Sequence, residues 1–189
     1  MKFNISPEPK KNYWIFILFG FILYGNTLFH DFALDDAIVI TENQFTKEGF
    51  SGIWDQLSND QFMGFYGEKK ELVSGGRYRP LSMVLFNVEY AFVGASPFLY
   101  HLLNILFYIL NGYLLYLVLH QLFKERFKYS PWISLALLAS LIWYFHPIHT
   151  EVVANIKGRD EIMAFCGELL TLLFALRYLE KKETKSLLW

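Results

Sequence analysis

Long apolar runs separated by short charged ones set the pattern of this chain, and their lengths predict its elements. Residues 13–29 are almost wholly apolar and follow Lys10 and Lys11. Residues 98–123, opening after Pro97, form the longest run, and 131–145 and 162–179 are the third and fourth. A helix that crosses a bilayer needs about 20 largely apolar residues, because the hydrocarbon core is about 30 Å thick and the helix rises about 1.5 Å per residue. The expected fold is therefore all-α, a polytopic transmembrane bundle of four spans. Residues 1–12 form a tail, 30–97 and 146–161 the loops on one side, and 186–189 the opening of a fifth span, cut short.

Two segments need a decision. The run at 13–29 has the apolar core of a signal peptide, but the residues after it read Phe29-His30-Asp31-Phe32, with no small-residue cleavage site, so an uncleaved anchor is expected. Residues 81–93 are too few to cross and carry Glu89 in their middle, which predicts an amphipathic helix lying at the interface within the first loop. Loop charges support that choice, because cytoplasmic loops hold the excess of lysine and arginine. With four spans, Lys2, Lys10 and Lys11, the turn from Lys124 to Lys128, and the turn from Lys181 to Lys185 all fall on the cytoplasmic side. A fifth crossing at 81–93 would put the Lys124 turn outside.

Composition agrees: 54% of the 189 residues are hydrophobic and 19% aromatic, more apolar surface than one water-facing core would hide. The formal net charge of −1 argues against a nucleic-acid partner, which calls for a clustered basic surface. Cys166 is the only cysteine, so there is no intrachain disulfide and no cysteine zinc site.

The chemistry is gathered in the two external loops. Asp31, Asp35 and Asp36 crowd the start of the first. Neighbouring acids repel, so such a pair either serves as general base or divalent-cation ligand, or is a solvated turn outside a span. Arg77 and Arg79 precede the interfacial helix, and their guanidinium forks suit either a lipid phosphate or simple headgroup anchoring. In the second loop His146, His149 and Glu151 offer ligands for a metal, phosphate or sugar, or are structural residues at a span end, and Lys157-Gly158-Arg159-Asp160-Glu161 follows. Asn26, His101, Asn104, Asn111 and Glu168 lie within apolar segments, where they are costly in lipid and should face protein or a watery cavity.

Four motifs in order, Leu34-Asp35-Asp36, Tyr78-Arg79-Pro80-Leu81, Gly94 to Pro97 with Tyr100-His101-Leu102-Leu103-Asn104, and His146-Pro147-Ile148-His149-Thr150-Glu151 with Gly158-Arg159, carry a resemblance. Over residues 12–180 the chain resembles the amino-terminal membrane half of the transmembrane and tetratricopeptide-repeat O-mannosyltransferases and their bacterial relatives. The resemblance implies a GT-C glycosyltransferase that moves a sugar, mannose in the named family, from a polyprenyl-phosphate donor to an acceptor hydroxyl on protein or glycan at the non-cytoplasmic face. It implies Asp35 as base, with Asp36 next, and Arg77 and Arg79 on the lipid phosphate. His101, His146, His149, Glu151 and Arg159 would bind substrate, with no protein-bound metal assigned and a divalent cation left open. The expected setting is a bacterial inner membrane with the amino terminus cytoplasmic. The chain departs from the family in lacking the 34-residue repeats and further spans, which suggests a truncated frame. A non-catalytic membrane subunit is the alternative, and a transporter a more distant one, since no paired broken helices mark a substrate path.

Overall fold

The computed structural model describes residues 12–33, 35–68, 78–123 and 134–181. Arg77, most of the expected tail, the turn at Lys124, the start of the third run and the fifth-span residues 186–189 lie outside the described residues. In chain order the helices are α1 (Tyr13–Tyr24), α2 (Gln44–Lys47), α3 (Ile53–Ser58), α4 (Met63–Tyr66), α5 (Pro80–Val93), α6 (Pro97–Leu122), α7 (Leu135–Tyr144), α8 (His149–Ala154) and α9 (Arg159–Lys181), and no strand occurs among the described residues.

Local chemistry sets these boundaries. Pro80 opens α5 at its first turn, where a missing N–H costs nothing, and Gly94 closes it with φ +59°. The Ser134 side chain caps α7 by accepting from the Leu137 N–H at 3.1 Å. Asp160 and Glu161 place negative charge in the first turn of α9, where the helix dipole favours it.

Two helical stretches are long and apolar enough to cross a membrane, Pro97–Leu122 and Ile156–Glu180. The first matches the expected 98–123 to within one residue, and the second contains the expected 162–179 and begins six residues before it. The first expected span is α1 extended by a 3-10 turn, Gly25–Phe29, a combined rise of about 28 Å. α7 has ten residues and rises about 15 Å, half the hydrocarbon thickness. Residues 81–93, expected as a helix too short to cross, lie in α5, which is about 21 Å long.

The chain divides into two compact units. The first takes the described residues of Met1–Gly25, Ile105–Thr150 and Ile162–Trp189. Tyrosine hydroxyls tie its helices together: Tyr144 donates to the Phe16 carbonyl at 3.0 Å and Tyr108 donates to the Tyr144 carbonyl at 2.7 Å. Asn111 donates to the Ile162 carbonyl at 2.8 Å, so this amide inside an apolar helix faces protein, as its cost in lipid requires. Gly112 is small because a Cβ there would meet the Tyr144 ring at 2.5 Å. Leu114, Val118, Cys166, Leu169 and Leu173 pack beyond it. Glu168 and Asn26, expected to be sheltered, are exposed on the described chain.

The second unit comprises Asn26–Asn104 and Glu151–Glu161. Its apolar core is Val39, Ile40, Met83, Phe86, Tyr100 and Ile156. Beside that core runs a buried polar lattice. Asn87 of α5 donates to the carbonyls of Phe45 at 2.7 Å and Gly49 at 2.9 Å. Gln56 donates to Thr46 Oγ1 at 3.1 Å, and the Asn43 side chain donates to the Ile38 carbonyl at 2.9 Å while accepting from the Thr46 N–H at 3.2 Å. Gly49 lies against α5 with φ +60°, and a Cβ there would meet the Ala91 side chain at 3.0 Å.

Candidate functional site

The second unit holds the acidic pair, Arg79 and the Lys157 to Glu161 stretch. Asp36 is fully buried. Its Oδ2 accepts from the Ala33 N–H and its Oδ1 from the Lys157 N–H, both at 2.8 Å. Burial pushes its carboxyl above the ordinary value of 3.8 and Asp35 adds to that push, while the two amides and Arg159 pull the other way. Asp35 is different: its side chain is 54% exposed and its Oδ2 lies 3.6 Å from the Lys157 ammonium. One residue, Lys157, thus holds Asp36 with its backbone and faces Asp35 with its side chain.

The loop that delivers Lys157 is rigid for stated reasons. The Asn155 side chain accepts from the Lys157 N–H at 3.1 Å, forming a local cap. A Cβ on Gly158 would meet the Val152 carbonyl oxygen at 2.4 Å, so only glycine fits there. Asp160 is mostly buried and pairs with the half-exposed Arg79.

Behind this layer lies a buried cation. Arg159 donates from Nε to Asn104 Oδ1 at 2.8 Å, from Nη2 to the Tyr100 carbonyl at 2.7 Å and from Nη1 to Glu89, and its guanidinium sits 4.7 Å from the Phe86 ring centre. Asn104 is itself held by donation to the carbonyls of Val153 at 3.3 Å and Asn155 at 3.1 Å. Burial pushes the Glu89 carboxyl up to about 7 against the opposing pull of Arg159. Arg159 was expected to line a substrate pocket; with zero exposure and all three guanidinium nitrogens engaged, its geometry is that of a frame for the loop.

The remaining expected residues fall in both units. His101 is buried, its ring edge-on to that of His30 with centroids 6.2 Å apart. Glu151 is exposed. His146 and His149 belong to the first unit. There His149 lies against Trp143, centroids 4.3 Å apart, with Tyr108 5.8 Å away, and burial lowers its pKa from the ordinary 6.5. Among the described residues no three of His, Cys, Asp and Glu converge as ligands for a metal ion.

Sequence reasoning missed Lys157, Glu89 and Asp160 as partners. A carboxylate in the middle of an apolar helix was the available signal for Glu89, since such a group demands a cation. Nothing in the spacing named Arg159 as that cation.

The chain is similar to protein O-mannosyl-transferase TMTC1 of Homo sapiens, 33% identical over 162 residues that cover 85% of this chain and 17% of the relative. It is similar to protein O-mannosyl-transferase tmtc2 of Xenopus laevis, 33% over 164 residues, 84% of this chain and 18% of the relative. It is also similar to protein O-mannosyl-transferase Tmtc2 of Drosophila melanogaster, 33% over 166 residues, 87% and 16%. The resemblance read from the four motifs is thereby borne out. The chain spans 16% to 18% of the length of these relatives. No family model matches the sequence, and no solved structure matches it.

Proposed function

We propose that this chain, a relative of the protein O-mannosyl-transferases over most of its length, forms the amino-terminal membrane part of a GT-C-type glycosyltransferase with four spans and a cytoplasmic amino terminus. It moves a sugar, mannose by the relatives' names, from a polyprenyl-phosphate donor to a hydroxyl of a protein or glycan on the non-cytoplasmic face. The acceptor oxygen bonds to the anomeric carbon as its proton passes to the Asp35 carboxylate. The bond from that carbon to the phosphate oxygen breaks, and the departing phosphate takes the electron pair. Arg77 and Arg79 balance the growing negative charge. Glu151, exposed in the same unit as Asp35, serves the sugar or acceptor.

The observation that supports this reading most is the division of labour within the acidic pair. Asp36, buried and held by two amides, fixes the backbone; Asp35 is left exposed at a set position beside a cation. A base needs that combination of fixed place and open access. The test is Asp35→Asn in the complete gene product, assayed in membranes with polyprenyl-phosphate-linked mannose and a hydroxyl acceptor. Transfer is expected to vanish while membrane insertion is unchanged. Undiminished transfer removes Asp35 as the base, and a wild-type protein with no transfer in any setting favours a non-catalytic membrane subunit.

A further inference from the structure

Among the described residues the Asp160 side chain has one partner, Arg79, and the mechanism leaves that pair without a role. Docking of α5 does not require it, because Glu89 and Arg159 already join α5 to α9. The Arg79 backbone is secured separately. The Tyr78 hydroxyl donates to the Leu57 carbonyl at 2.7 Å, Pro80 opens α5, and Ser82 Oγ donates to the Arg79 carbonyl at 3.2 Å. What remains free is the long Arg79 side chain, with its many rotamers. Asp160 removes that freedom. Its side chain is 8% exposed, Oδ2 accepts from Arg79 Nη1, and Oδ1 is buried with no partner among the described residues. Its charge also suits the first turn of α9, but that effect is indifferent to where Arg79 lies.

The Arg79 side chain is 38% exposed, and none of the described residues takes its Nε or Nη2. Those two nitrogens form one edge of the guanidinium fork, and such an edge matches two oxygens of a phosphate. We propose that Asp160 is a positioning residue, holding Arg79 by Nη1 so that this open edge meets the phosphate of the lipid-linked donor. The same segment also governs the base. Asp160 stands three residues after Lys157, whose ammonium faces Asp35, on a stretch fixed at Gly158 and braced by Arg159. One rigid segment thus addresses both Asp35 and Arg79, so the separation of base and phosphate is set in one place. The inference rests on the transferase reading and adds a residue to it.

The test uses the complete gene product in micelles and compares binding of radiolabelled polyprenyl phosphate, without sugar, with binding of the uncharged polyprenol. Initial rates of mannose transfer are measured alongside. Asp160→Asn keeps the shape and removes the charge; Arg79→Met and the double variant complete a cycle. The wild type is expected to prefer the phosphate, and Asp160→Asn to lower that preference on the order of tenfold. KM for the lipid donor rises while KM for the acceptor stays unchanged, and with Arg79→Met in place Asp160→Asn has no further effect on binding. Wild-type preference in Asp160→Asn, or a further loss in the Arg79→Met background, would overturn the proposal, since an acid that only supports the fold adds its loss to any other. Arg79→Lys keeps the ion pair but has no fork and should lose most of the preference; full retention overturns the proposal even where Asp160→Asn does not fold. A wild type that transfers mannose without preferring phosphate to alcohol overturns it and leaves the transferase standing. A wild type that neither transfers nor binds removes both.

Discussion

Replacing Arg159 with methionine keeps most of the side-chain volume and removes the charge, which isolates the role of the buried cation. The wild-type guanidinium gives hydrogen bonds to Glu89, Asn104 Oδ1 and the Tyr100 carbonyl, all inside the second unit. In the variant Glu89 remains on α5 as a buried carboxylate with no counter-charge. Breaking a buried pair by removing one partner costs about 3–5 kcal/mol, and that range is expected here at pH 8. The pH dependence follows from the sign of the Glu89 shift. Its carboxyl already stands above the ordinary 4.5 with Arg159 in place, and loss of Arg159 removes the leading opposing influence. The folded variant therefore holds a proton that the unfolded chain releases, so its stability is greatest below 4.5 and falls as pH rises through 7, by at most about 1.4 kcal/mol per pH unit. The double variant Arg159→Met with Glu89→Leu removes the orphaned charge and should recover most of the loss. Reversible unfolding in mixed micelles at pH 5 and pH 8 measures all three proteins. A single variant that loses less than about 1 kcal/mol at pH 8, or a double variant no better than the single, refutes the reasoning.

Two more expectations follow from the loop. Gly158→Ala drives a methyl group into the Val152 carbonyl and displaces the Lys157 amide from Asp36; a loss of about 1–3 kcal/mol is expected, together with lower transfer, and unchanged thermal unfolding would count against a fixed loop. Lys157→Met removes only a partly exposed ion pair with Asp35, so stability should move by less than about 1 kcal/mol, while transfer falls on the order of tenfold because Asp35 loses the cation that places it. An initial-rate assay beside an unfolding curve separates the two effects.

Much of the fold was legible because the apolar runs are long: α6 and α9 fall within a few residues of the expected second and fourth spans. Pro80 and Gly94 likewise bracket α5 where the sequence placed an interfacial helix. Helices were expected in the first loop, but only the one at 81–93 was placed; the short ones between Gln44 and Tyr66 are held by side-chain amides reaching backbone carbonyls across the loop, which no local period reveals. In the site, the acidic pair was visible from its spacing, but the difference between Asp35 and Asp36 was not, because it is decided by an amide supplied from Lys157, 121 residues away. Arg159 looked like a loop cation open to ligand; its burial depends on Glu89 and Asn104, whose positions only the tertiary fold discloses.

The pairing of Glu89 with Arg159 also orders events at the ribosome. Seventy residues separate the two partners, and at roughly 5–20 residues per second the carboxylate is synthesised several seconds before its cation. During that interval α5 cannot bury Glu89 as a charge and must either keep it in water or let it take a proton. The Glu89–Arg159 pair and the hold of Lys157 on Asp36 therefore form only after the second loop has been synthesised. A nascent chain halted before residue 155 would carry the first loop complete in sequence yet unlatched.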